Sequence, residues 1–263
     1  SSEMGNAALM ESYIPESRLV WEDELAWAQQ LQLGLVTEQL DVVQASVLID
    51  QNRIMNDFGS PSETYLSYYN HYVAEIDEEA LGLVPYHPIE GELQEVDGEL
   101  KHILPANHSY DAGSASEMLY QQVLQATFNG AFLEMQVVGE DGASVEFAHM
   151  GQINTVSLQQ NLKGPHFAIE VAGVRYLAPL QMTASETIEE ALLSLNGIPQ
   201  NSSFQSPIID GVTYSVETDG DVVSIAFTEP LQLENHSLEN RVTMFDALIM
   251  TAANYGMRVQ FDN

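Results

Sequence analysis

The chain has 263 residues, 45% of them hydrophobic, no cysteine, and 7 Lys and Arg against 39 Asp and Glu, a formal charge of -32. That apolar content fills cores for two ordinary domains and excludes disorder, while the charge repels phosphate backbones and anionic lipid and so excludes nucleic-acid binding and peripheral membrane docking as main activities. Without cysteine there are no disulfides, no thiol catalysis and no thiolate metal sites.

Ser1 to Pro15 carries neither a basic n-region nor an apolar h-region, and no run approaches 18 consecutive apolar residues. Either the protein is cytosolic or the chain begins after an anchor, and the C-terminal half favours the second. Trp21 to Leu33 reads as a helix with Leu25, Ala28 and Leu31 along one side, ended by Gly34, and Val43, Ala45, Val47 and Ile49 alternate like a strand. Gly59-Ser60-Pro61-Ser62 breaks the chain, and the tyrosine-rich run Tyr65 to Val73 fits a strand or a helix. Residues 85 to 112, with several Pro and Gly, read as strands joined by loops. A helix begins near Ser114 with Met118, Leu119, Val123, Leu124 and Ala126 as its apolar stripe and Gly130 as its stop. Leu133, Met135 and Val137 then alternate, Asp141-Gly142 turns, and Val145 and Phe147 continue.

The C-terminal pattern is sharper. His166 to Met182 is extended around a Gly173 turn, and Thr183 with Glu186 has capping-box spacing ahead of a helix whose stripe is Ile188, Ala191, Leu192 and Leu195. Val212, Tyr214 and Val216 alternate, Asp219-Gly220 marks a hairpin, and Val223, Ile225 and Phe227 resume the alternation. Leu238, Val242, Phe245, Leu248, Ile249 and Ala252 fall on a helical face stopped by Gly256, and Met257, Val259 and Phe261 form a last strand. The order is β-α-β-β-α-β, and elements with one apolar face each must pack as a small sheet with both helices on one face. Ala-Thr-Phe-Asn-Gly (126 to 130) before one strand echoes Ala-Ala-Asn-Tyr-Gly (252 to 256) before another, which points to a duplicated module. The predicted fold class is therefore α+β, as tandem small βαββαβ-like modules, each a three-stranded sheet with two helices on one face. An N-terminal helix-strand extension spans 1–62, a first and divergent module 63–163, and a second module 164–263.

Tyr176-Leu177-Ala178-Pro179, the helix around Glu190-Ala191-Leu192-Leu193, Ser206 to Val212, Asp221 to Phe227 and the closing Ala252 to Phe261 resemble successive landmarks of a GerM domain, a module of bacterial sporulation and germination lipoproteins. The family's hairpin carries an Asp where this chain has Ala226. Glu134 to Gly142 looks like the final strand and turn of a first copy. A GerM-like pair also resembles the extracytoplasmic part of some bacillus membrane-bound anti-sigma factors, notably the negative regulator of the sigma factor called X. The helix-Gly-strand opening Trp27 to Val43 is similar to segments just outside the membrane in those proteins. The landmarks are turns and core positions, so the resemblance implies architecture and little chemistry.

No catalytic, cofactor-binding or metal-binding residue emerges. His71, His87, His102, His108, His149, His166 and His236 are scattered without i, i+4 spacing, and Lys101-His102 and Asn107-His108 read as polar surface. Glu217, Asp219 and Asp221 read as a turn lacking a calcium loop, and Glu22-Asp23-Glu24 and Asp77-Glu78-Glu79 as solvated faces or a helix N-terminus. Gly113-Ser114-Ala115-Ser116 is no nucleophile elbow, and a helix cap explains its serines. Three glycosylation-type tripeptides begin at Asn107, Asn201 and Asn235. The reading this supports is a non-enzymatic extracytoplasmic sensing region of a membrane-anchored negative regulator. It would need no cofactor, would bind a protein partner or copies of itself, and would reach sigma factor or membrane only through segments outside this chain. The alternatives are a GerM-like sporulation lipoprotein that self-assembles between membranes and a carboxylate-dependent cell-wall hydrolase.

Overall fold

The computed structural model describes residues 13–60, 62–159, 163–180, 187–197, 199 and 203–262. Contacts divide the chain into two compact units, Ser1–Glu16 with Val20–Gln160 and Ser17–Leu19 with Asn161–Asn263. The segment read as a separate N-terminal extension therefore contributes most of its length to the first unit. Ser17–Leu19 joins the second, where the Leu19 N–H donates to Asp246 Oδ2 at 2.9 Å.

In the first unit, helix α1 is only Glu22–Leu25, and β1 (Ala28–Val36) pairs antiparallel with β2 (Val42–Asp50). The helix expected over Trp21–Leu33 is absent because Leu31, Leu33 and Leu35 recur every second residue and all turn inward, a strand period that outweighs the looser helical spacing. Asp50 caps α2 (Gln51–Phe58) by accepting from the Asn52 N–H, and Gly59 at φ 70 ends it. The ambiguous tyrosine run is helix α3 (Tyr65–Tyr72), capped by Thr64, with Leu66, Tyr68, Tyr69 and Tyr72 buried. After it come the hairpin β3 (Glu92–Val96) and β4 (Glu99–Leu104), helix α4 (Ser114–Phe128), and β5 (Glu134–Gly139) parallel to β4. A short hairpin of β6 (Val145–Phe147) and β7 (Gly151–Ile153) precedes β8 (Thr155–Ser157), which lies antiparallel on β5. The sheet order is β3-β4-β5-β8.

The second unit repeats the plan. The hairpin β9 (His166–Val171) and β10 (Val174–Pro179) is followed by α5 (Ile188–Ser194), by β11 (Tyr214–Asp219) and β12 (Val222–Phe227), by α6 (Leu238–Ala253), and by β13 (Arg258–Asp262) parallel to β12. Its sheet order is β11-β12-β13. The cap expected from Thr183 and Glu186 lies outside the described residues; α5 is closed by a capping box of Thr187 and Glu190 instead.

Helices α4 and α6 make the duplication explicit. Thr127 lies eight residues before Met135 of β5, and Thr251 eight before Val259 of β13. In that register the buried residues Leu119, Tyr120, Val123, Leu124, Thr127 and Phe128 match the buried Thr243, Met244, Ala247, Leu248, Thr251 and Ala252. The echo seen in the sequence is thus real but two residues out of step. Both threonine hydroxyls do the same work: Thr127 Oγ1 accepts from the Gly34 N–H at 3.0 Å, and Thr251 Oγ1 from the His166 N–H at 2.9 Å. Each hydroxyl satisfies a buried strand amide where hairpin and helix meet. At Gly34 the approach is so close that a Cβ would stand 2.8 Å from Ala126 Cβ. The apolar stripes differ from expectation at their edges: Met118 and Leu238 are exposed, while the acids Glu117 and Asp246 point inward. Among the described residues no helix is long and apolar enough to cross a membrane.

Candidate functional site

The polar residues of the first unit form two matching relays. His102 Nε2 lies 2.6 Å from the Glu90 carbonyl, which can only accept, so this nitrogen carries the proton and Nδ1 accepts from Tyr120 Oη at 2.7 Å. His87 repeats the pattern, with Nε2 donating to the Gly34 carbonyl at 2.7 Å and Nδ1 accepting from Tyr69 Oη at 2.8 Å. Burial pulls both imidazoles down to about 4. In the second unit His166 is likewise held near 4 by burial, and its Nδ1 accepts from Asn254 Nδ2 at 3.1 Å. These rings are neutral. In His87 and His102 both nitrogens are committed to structural bonds, so neither ring has a free lone pair for a metal or a substrate proton.

His102 is therefore not the polar surface residue that Lys101-His102 suggested. Strand alternation along β4 turns it inward and leaves Lys101 on the other face. The remaining histidines do not converge. His108 stacks on Tyr110 at 5.8 Å, His71 Nε2 is 3.4 Å from Asp57, His149 Nδ1 is 3.3 Å from Glu117, and His236 lies in the second unit. No group of three His, Asp or Glu among the described residues could hold a metal ion.

Among the described residues three carboxylates are buried, and each fastens backbone. Glu78, read as solvated, is 4% exposed; its Oε2 accepts from the Tyr86 and His87 amides at 2.9 and 3.0 Å, and burial raises its pKa. Glu117 takes the His149 and Met150 amides at 2.9 and 2.7 Å. Desolvation opposes its ionisation, but these amides and the His149 ring together lower its pKa. Asp246 is raised by burial while holding Leu19. At the exposed hairpin tip, Asp221 meets Arg258 at 3.2 Å, and this bond lowers the Asp221 pKa. The tip is thus a turn tied to the last strand, as expected. Glu22 and Asp23 are solvated at the start of α1, where the Glu24 side chain accepts from the Trp21 N–H. Helix α4 starts at Ser114 with Gly113 as a cap that offers no side chain, so neither serine is the cap residue.

Surface concavities are modest. An open depression of about 550 Å³ lies over Thr64, Ser67, Asn70, Gln94 and Asp97 in the first unit, and one of about 210 Å³ over Asp210, Val212, Glu229, Leu231 and His236 in the second. Each mixes polar and apolar side chains, with Glu95 and Asp97 at the first and Asp210 and Glu229 at the second.

In the first unit β8 flanks β5, so that Met135 and Val137 are 0% exposed. Among the described residues of the second unit β13 is the last strand of its sheet, with Val259 and Phe261 half-buried against α6, where Phe261 meets Phe245 edge-on at 5.0 Å. Sequence reading missed β8, since three residues, Thr155-Val156-Ser157, are too short a run to separate from a loop. It therefore missed that the β5 edge is covered from within the first unit.

No protein-family model matches the chain, and no curated protein matches it. Among solved structures, the tandem GerMN domains of the sporulation protein GerM from Bacillus subtilis superpose with a TM-score of 0.59 at 13% sequence identity, over 89% of this chain and 90% of that chain. The fold is that of tandem GerMN-like modules.

Proposed function

We propose that this chain is a non-enzymatic, tandem GerM-type association module of a sporulation protein, which works by binding copies of itself in a membrane-anchored, extracytoplasmic setting. The observation that carries the reading is the match of both units, in order and nearly full length, to the tandem domains of GerM. One feature of the chain agrees with it: its buried histidines and acids are spent on fastening the backbone. With a charge of -32, protein partners suit it better than nucleic acid or lipid. Light scattering over a concentration series, at low and moderate salt, tests the reading. Mass rising above the monomer supports it, and a monomer under every condition contradicts it.

The anti-sigma reading is left with less. Its helix-Gly-strand opening at Trp27–Val43 is replaced by β1 and the turn into β2, and the structural match adds nothing to it.

A further inference from the structure

Strand β3 is the outer strand of the first sheet and lies in the interior of the chain, between α3 and β4. Its turn into β4 has two residues, Asp97 and Gly98, at φ 54 and 80, so Val96 and Glu99 close it as a hydrogen-bonded pair. Alternation then points the amides and carbonyls of Glu92, Gln94 and Val96 toward β4 and those of Leu93 and Glu95 outward, where no described residue bonds them. The side chains of Leu93 and Glu95 share the face that α3 covers. On that face the depression of about 550 Å³ follows the strand, with buried Leu66 and Leu93 as its floor and Glu95 and Asp97 toward the turn. Neither of these carboxylates has a bonding partner among the described residues, and Lys101, opposite Gln94, lies on the other face.

The second unit closes the same place. Glu95 pairs with Leu100 as Thr218 pairs with Val223, at corresponding positions of the two repeats. Thr218 Oγ1 donates to Glu189 Oε1 at 2.8 Å and ties α5 to the strand. In the first unit a carboxylate replaces that hydroxyl, makes no such bond and borders open space.

We infer that the β3 edge binds an extended segment of a basic protein partner, added antiparallel as a further strand. The residues opposite Leu93 and Glu95 exchange both backbone hydrogen bonds with them, and their side chains fall on the α3 side, over the depression. The one opposite Leu93 meets Leu66 and Leu93 and is apolar; the one opposite Glu95 meets Glu95 and Asp97 and is lysine or arginine. In its own direction the segment therefore runs basic, spacer, apolar. A second copy of this chain fits poorly. Self-pairing about Gln94 sets Leu93 against Glu95 twice, self-pairing about Glu95 sets two carboxylates face to face, and 7 Lys and Arg stand against 39 Asp and Glu. The inference goes beyond the self-association reading and does not depend on it.

Fluorescence anisotropy tests it on the full chain, with a labelled peptide of sequence threonine-arginine-threonine-valine-threonine in salt of about 0.15 M, where charges are screened beyond about 8 Å. The wild type raises the anisotropy, and the peptide slows hydrogen exchange at the Leu93 and Glu95 amides but not at Gln94. Glu95→Arg weakens binding at least about tenfold, a change of about 1.4 kcal/mol, and prefers a peptide with glutamate in place of the arginine. Glu217→Arg makes the same change of net charge on the other unit and binds as the wild type does. Glu95→Pro removes an outward N–H without touching the ladder to β4 and abolishes binding. Circular dichroism confirms that each variant is folded. No rise with the wild type, or equal binding by Glu95→Arg and Glu95→Pro, overturns the inference. Slowing of the Leu93 and Glu95 amides by chain concentration alone, without peptide, assigns the edge to a second copy and overturns it too.

Discussion

Acidification should weaken this protein through His102 and His166, which are buried, and His87, which is half-buried, and by a calculable amount. Burial holds His87, His102 and His166 near 4 in the folded chain, against 6.5 for the exposed residue. Between those values the unfolded chain binds more protons, so the stability these groups contribute is complete above about 6.5 and is lost as pH falls toward 4. From pH 7 to pH 5 each histidine costs about 2 kcal/mol, at about 1.4 kcal/mol per pH unit over the 1.5 units below 6.5. Two of the three lie in the first unit, which should therefore lose about 4 kcal/mol against about 2 kcal/mol for the second. Glu78 and Asp246, raised by burial, act in the opposite sense, as does relief of the -32 charge. A difference between variants isolates the histidine part. His102→Gln keeps a donor for the Glu90 carbonyl and an acceptor for Tyr120 but does not titrate. Urea unfolding followed by circular dichroism at pH 7, 6 and 5 should show the variant losing about 2 kcal/mol less than the wild type over that range. Parallel losses in the two proteins would mean that His102 is not held neutral in the fold, and the reasoning would fail.

Gly34→Ala should destabilise the first unit by about 1–3 kcal/mol, because its new methyl would press on Ala126 Cβ at 2.8 Å and on the Val123 carbonyl at 3.0 Å; thermal unfolding measures this, and an unchanged midpoint would show that strand and helix are not in such contact. Thr187→Ala removes the capping box of α5 and should cost the second unit about 1 kcal/mol in a urea titration, whereas equal stability would place the helix start elsewhere. Glu117→Ala leaves the His149 and Met150 amides without their acceptor, and hydrogen exchange at both should accelerate at least about tenfold while the Val137 amide keeps its protection.

The second unit was largely legible because its signals are local. Period-two strands around Gly220, a 3.6-period helix from Leu238 and the alternation of Val259 and Phe261 each announce their own element. Failures arose where the deciding contact is remote in sequence. Leu25, Ala28 and Leu31 are spaced as well for a helix as Leu31, Leu33 and Leu35 are for a strand, and it is pairing with β2 that selects the strand. The helix faces were misjudged at Met118 and Leu238 because buried Glu117 and Asp246 carry charge that a hydropathy stripe reads as exposed. Amides at His149, Met150 and Leu19, distant in the chain, compensate those carboxylates. His102 was misplaced for the same reason, since Tyr120 and the Glu90 carbonyl that satisfy it lie in other segments. The cover that β8 gives β5 could not be read at all, since its short run gains strand character only from its partner Glu134–Gln136.

Residue-resolved hydrogen exchange as a function of protein concentration probes self-association most directly. The Val137 amide should be protected at every concentration by its bond to Asn154. Raising the concentration should slow exchange at a set of surface amides and leave Val137 unchanged. If no amide slows at any concentration, the chain does not work by binding copies of itself.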